Sequence, residues 1–242
     1  MKRAILSFVL LALALATAPS APAQFAGRGD RQQSRAASVR EPLNLAVLVQ
    51  DDLVARVGNE LNVTREFIRA LPAGSRVMVG YLTAGTLQVR QPFTNDLEQA
   101  ARALRIPVAN EAAAPYNPYV EVLEALRKFD GQGTNRNAVL LVSDGLDVSR
   151  GFDPSSTLDS VDLRRAANEA KRRNVAVYAF YAPSVGLTSY NRLAINYGQG
   201  ALNRIADETG GRAFFQGTSF VTFDAYFDGL RRALNERTSR IS

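Results

Sequence analysis

The chain has 242 residues, no histidine, cysteine or tryptophan, and 29 Lys+Arg against 23 Asp+Glu, a formal charge of +6. These absences exclude thiol nucleophiles, disulfides, iron–sulfur clusters and imidazole acid–base catalysis. They leave oxygen ligands for any metal, which favours Mg²⁺, Mn²⁺ or Ca²⁺. A hydrophobic fraction of 46% with 21% charged residues belongs to a globular protein and not to a disordered one.

Lys2 and Arg3 precede an apolar run from Ala4 to Ala16, followed by the small-residue stretch Thr17 to Ala23. That order reads as a secretory signal over residues 1–23, too short to span a bilayer as a mature helix. Residues 24–42 follow as a linker with Arg28, Arg31, Arg35 and Arg40 among Gly, Gln and Ser. The remainder, 43–242, has the size of one domain. The expected product is an exported protein, periplasmic or secreted, with no stable membrane insertion after signal cleavage and no nucleic-acid partner.

The body alternates. Leu43 to Gln50 is a nearly continuous apolar run, read as a buried parallel strand. Leu53, Val57, Leu61, Ile68 and Leu71 follow at helical spacing, giving a helix stopped by Pro72. Arg76 to Thr83, and then Leu87, Val89 and Phe93 beyond Ala84-Gly85, read as a strand hairpin. Asp96 caps a short helix that ends before Pro107, and a second helix runs from Tyr119 to Phe129. Ala138 to Ser143 and Val175 to Ala182 are further buried strands, with a helix over 158–173 between them. Tyr190 to Thr209 is read as mostly helical with a break at Gly198 and Gly200. Gly210-Gly211 then turns into a short strand, 212–216. Phe220, Phe223, Phe227, Leu230 and Leu234 step by three and four along a final amphipathic helix.

Strands alternating with helices imply an α/β fold, with a doubly wound, mainly parallel sheet, one antiparallel hairpin strand and helices on both faces. Such sheets bind ligands at the carboxyl ends of their strands. That edge collects the loops 51–56, 108–118, 144–158 and 182–192. Two of them begin with acids, Asp51-Asp52 and Asp144.

The succession VLVQDD, helix, hairpin, FTNDLEQA, helix, VLLVSDGLD, helix, VAVYAFY and the TGGRAF turn resembles a von Willebrand factor type A (vWA) domain. It is similar, more narrowly, to an exported bacterial group of that family, over most of 43–237. The resemblance implies a metal-ion-dependent adhesion site built from Asp-x-Ser-x-Ser after the first strand, a Thr from a middle loop and an Asp after the fourth strand. Here the first Asp falls on Asp51, but its Ser positions fall on Leu53 and Ala55. No Ser or Thr occurs from 95 to 133, and the last Asp is Asp144. The expected site is therefore a degenerate one at Asp51, Asp52 and Asp144, with no cofactor or at most weak Mg²⁺ or Ca²⁺ binding. Glu111, Asp147 and Asp153 stand nearby as substitute ligands, and Arg56 as a neutralising cation.

Tyr116, Asn117, Asp147 and Tyr190 sit in the same edge loops. Tyrosine offers large contact area with a polar tip, so these four are the expected partner-binding positions. The expected function is a non-enzymatic module binding an unknown protein partner through these loops. The alternative is a Mg²⁺- or Mn²⁺-dependent adhesion or metalloenzyme site on the three aspartates, with no general base or phosphate-cradling glycine loop to support the enzyme form.

Overall fold

The computed structural model describes residues 38–133, 136–152, 160–215 and 222–238. The signal segment, most of the linker, Asp153 and Phe220 lie outside them. The described part of the linker lies against the final helix. Val39 is buried, Arg40 N donates to Asn235 Oδ1 (3.1 Å), and Asn235 Nδ2 donates to Ser38 O (2.9 Å).

Six strands form one sheet in the order β3-β2-β1-β4-β5-β6. They are β1 (Leu43–Gln50), β2 (Arg76–Thr83), β3 (Thr86–Thr94), β4 (Arg136–Ser143), β5 (Val175–Tyr181) and β6 (Arg212–Phe214). All neighbours are parallel except β2 and β3. In the middle, Val47 of β1 faces Val79 on one side and Leu140 on the other. Every residue of β1 and β5 is buried, because helices cover both faces and neither surface meets water. β3 is an edge strand, and it accommodates Pro92, whose missing N–H an edge can spare.

Alternate residues of β1 feed two cores. Leu45, Val47 and Val49 pack with α1 (Val57–Arg69), α2 (Leu97–Ala103) and α6 (Asp224–Thr238). Ala46 and Leu48 pack with α3 (Pro118–Leu126), α4 (Val161–Arg172) and α5 (Arg192–Glu208). Phe180 centres the first core, with ring centroids 4.9 Å from Phe227 and 5.3 Å from Phe223 and from Tyr226. The final stripe therefore closes one face of the sheet, as its spacing predicts.

Three local expectations change. The first helix begins at Val57, not Leu53, because 52–54 runs extended beside 183–185. Leu53 bridges Ser184, Val54 N donates to Pro183 O (3.0 Å), and Val185 N donates to Asp52 O (2.9 Å). The break expected at Gly198 and Gly200 does not occur, and α5 runs unbroken. Gly198 is there for contact: a Cβ at that position would lie 2.0 Å from the Asp144 carbonyl oxygen. Tyr190 precedes α5 in a turn, and Asn191 caps the helix, its Oδ1 accepting from Leu193 N (2.9 Å) and Ala194 N (3.2 Å). Asn191→Ala is expected to cost about 1 kcal/mol, read as a lower thermal midpoint.

Candidate functional site

The parallel strands all end at one edge, so Asp51-Asp52 after β1 and Asp144 after β4 become neighbours. Their fates differ. Asp51 points into a closed arrangement behind the edge. Arg105, just beyond α2, grips it with both terminal nitrogens (2.6 and 2.7 Å), and Val108 N donates to its Oδ1 (3.0 Å). The guanidinium lies 4.1 Å from the Tyr81 ring centroid, and the Tyr81 hydroxyl donates to Arg105 O (2.6 Å). Both oxygens of Asp51 are thus engaged by a planar bidentate partner. The neutralising cation is Arg105, whereas Arg56 is exposed.

Asp52 and Asp144 face the other way, into a cleft of about 490 Å³. Gln50 joins them. Its Nε2 donates to Asp52 Oδ1 (2.8 Å), while its Oε1 accepts from the Ser143 hydroxyl (2.5 Å) and from Asp144 N (3.2 Å). Asp144 Oδ1 accepts from Leu146 N (3.0 Å), and Oδ2 accepts from the Thr188 hydroxyl (3.0 Å), which also lies 2.9 Å from the Ser184 hydroxyl. Burial, and then the nearby Asp144 charge, push Asp52 up to about 7. Burial likewise raises Asp144.

The rim comes from three loops. Glu111 lies on a short 3₁₀ turn, Glu111–Ala113, and Tyr116 follows on the way to α3; both line the cleft. Tyr190 closes the far side after a second turn, Leu187–Ser189. Tyr116 is 62% exposed and Tyr190 73%, so neither serves the core.

Asn117 and Asp147 stand behind this rim. Asn117 Oδ1 caps α3 by accepting from Tyr119 N (3.1 Å), and its Nδ2 donates to Asp162 (3.0 Å). Asp147 accepts from Ser149 N (3.1 Å) and from the hydroxyls of Ser149 and Ser160 (2.7 Å each). Val148 N donates to Tyr116 O (2.8 Å), tying the two loops together. These two residues shape the wall that presents Tyr116. Of the positions singled out in the sequence, Asp52, Asp144, Tyr116 and Tyr190 therefore line one cleft, while Asp51, Asn117 and Asp147 hold its surroundings. Asp153 lies outside the described residues.

Sequence reasoning missed Arg105, Gln50, Ser184 and Thr188. The hydroxyls were sought between 95 and 133, yet they arrive from the loop after β5. Nothing local marks Arg105 as the partner of an aspartate more than fifty positions earlier.

No family model matches the chain, and no curated protein matches it. Solved structures do. The chain is similar to an aerotolerance-related membrane protein from Bacteroides fragilis NCTC 9343, crystallised with multiple mutations to serines. Identity is 13%, coverage 80% of this chain and 99% of that one, and the TM-score 0.56. It is similar to the conserved hypothetical protein BatB from Bacteroides thetaiotaomicron, at 13% identity, 81% and 99% coverage and a TM-score of 0.54. Proximal thread matrix protein 1 of the mussel byssus gives 14%, 83% and 49%, and 0.53. The chain has a von Willebrand factor type A fold.

A vWA fold implies a divalent cation at this edge, and the donor set can be tested against one. Magnesium asks for near-octahedral oxygen ligation. Asp51 has both oxygens on Arg105, and the two following hydroxyl positions are Leu53 and Ala55. Thr188 donates to Asp144. Among the described residues no group of three or more His, Cys, Asp or Glu is placed to hold a metal. Asp51, Leu53 and Ala55 do not offer the oxygen ligands that the vWA pattern places at those positions. No helix among the described residues is long and apolar enough to cross a membrane.

Proposed function

We propose that this vWA-type chain is an exported, non-enzymatic interaction module, periplasmic or secreted, that grips a protein partner through its carboxyl-edge loops without a divalent cation. The observation that carries this is where the exposed apolar side chains lie. Among the described residues eight large hydrophobics are exposed. Ile106, Val108, Tyr116, Val120, Val161, Tyr190 and Leu193 stand on the edge loops or on the first turns of α3, α4 and α5, and Phe215 directly follows the parallel strand β6. Apolar and aromatic groups gathered at one edge mark a contact surface. The basic, apolar and small-residue order of 1–23 supports export.

A photo-crosslinking amino acid placed at Tyr116 or Tyr190 of the full chain, in the cells that make it, tests this reading. The expected result is a discrete adduct to one protein that survives EDTA. The same probe at Lys128, on the opposite edge, is expected to give none. Equal labelling from all three positions, or adducts abolished by EDTA and restored by Mg²⁺ or Mn²⁺, would favour the cation-dependent alternative or none at all.

A further inference from the structure

We propose that the partner is engaged through an arginine side chain, inserted between Tyr116 and Tyr190 onto the carboxyl groups of Asp52 and Asp144. This rests on the reading of the edge as a protein-binding surface and adds the chemistry of what enters it.

Three observations carry it. The first is the floor of the cleft. Asp52 lines it, accepting from the Gln50 amide at Oδ1 and from its own backbone, and a carboxyl has further acceptor capacity for a donor that enters the cleft. The second is charge. The chain carries 29 Lys+Arg, yet no Lys or Arg lines this cleft, and none pairs with Asp52, Asp144 or Glu111 among the described residues. Acids on the floor and rim repel a partner's carboxylate and favour a cation. The third is the pair of walls. Exposed tyrosine faces attract a guanidinium that slides between them, and a planar fork can reach two carboxyls at once where a point-charge ammonium cannot.

The same chain contains the occupied version one residue away. Arg105 lies against Tyr81 and clamps Asp51 with two hydrogen bonds. Asp52 with Tyr116 and Tyr190 offers the same combination of carboxylate and aromatic ring, opening outward.

The probe is the tripeptide acetyl-Gly-Arg-Gly-amide, titrated into the labelled full chain and followed by NMR, beside the Lys and Asp versions with and without Mg²⁺. Saturable shifts are expected at residues around Asp52 and Tyr190, with the Arg peptide at least tenfold tighter than the Lys peptide. Asp52→Asn, which keeps an oxygen for Gln50, should weaken the Arg peptide at least tenfold; Asp96→Asn, at the α2 cap on the opposite edge, should leave it unchanged. No binding, equal binding to Asp52→Asn, or preference for the Asp peptide with Mg²⁺ overturns the proposal. The crosslinks separate the two levels. Adducts from Tyr190 that persist in Asp52→Asn overturn the arginine contact and leave the interaction surface standing. Arg-peptide binding without any adduct upholds the cleft chemistry and removes the partner.

Discussion

Arg105→Met is expected to destabilise the protein by about 3–5 kcal/mol, because it leaves a buried carboxylate without its counter-charge. Asp51 is 2% exposed and depends on Arg105 for two short hydrogen bonds. The substitution also removes the guanidinium from the Tyr81 ring. In urea the midpoint should fall by about 1–3 M for a domain of this size. The double variant with Asp51→Asn should recover much of the loss, since a neutral amide no longer needs the counter-charge. A loss below about 1 kcal/mol would place this pair with solvent-exposed salt bridges and refute the structural role assigned to Asp51. The effect would reach the site as well. Asp51 also holds the chain at Val108 N and, through its carbonyl, at Ala109 N, just before Glu111.

Asp52→Asn is expected to act in the opposite direction and to change how stability depends on pH. In the unfolded chain this carboxyl ionises near its ordinary 3.8, but in the folded protein it keeps its proton up to about 7. Between those values the folded state binds more protons than the unfolded state, so stability falls as pH rises through the window and is level above it. The groups that face Asp52 reinforce this. Asp144 at the end of β4 and Asp51 beside it raise it, and only the Gln50 amide and the Asp52 backbone oppose them. Glu121 of α3, itself pushed up to about 8 by burial, also interacts with Asp52. Three units at about 1.4 kcal/mol each set a ceiling near 4 kcal/mol, and water in the cleft lowers it, so a gain of about 2–4 kcal/mol is expected at pH 8. At pH 4 the two proteins should be equally stable. Parallel curves for wild type and variant from pH 4 to 8 would refute this account. A residual downward slope in the variant is expected from Glu121.

These two variants separate neighbouring aspartates that look equivalent in the sequence. Asp51 is paired with Arg105 and structural, whereas Asp52 has no counter-charge among the described residues and costs stability at neutral pH. Under the proposed arginine contact, a cation supplied by the partner would return the stability given up at Asp52.

How far the site could be read in advance follows from which contacts are local. The strands β1, β4 and β5 are legible because short runs of consecutive apolar residues, Leu45 to Val49, Ala138 to Val142 and Val175 to Tyr181, have few other uses. Once they are parallel, their acids must share an edge, so Asp52 and Asp144 meet without further information. The cap at Asp96 is legible too, since it reaches only three residues ahead, whereas Asn117, expected to bind a partner, caps α3 instead. The start of α1 was not. Leu53 fits the helical spacing, but the stretch 52–54 gains hydrogen bonds from 183–185, more than a hundred residues away. Gly198 was misread for the same reason, because a glycine that makes room for another loop is locally indistinguishable from one that breaks a helix.

The sequence by itself determined the alternating order of elements, the sheet edge that collects Asp51, Asp52 and Asp144, and the absence of the serines and threonine that a vWA cation site uses at their expected places. Tertiary structure alone decided which aspartate is spent on Arg105, which two face the cleft with Ser184 and Thr188 beside Asp144, and which tyrosines stand over them. Periodicity and composition are properties of a segment and survive in one dimension. The sign and the partner of a buried charge depend on which distant side chains the fold brings within about 3 Å of it.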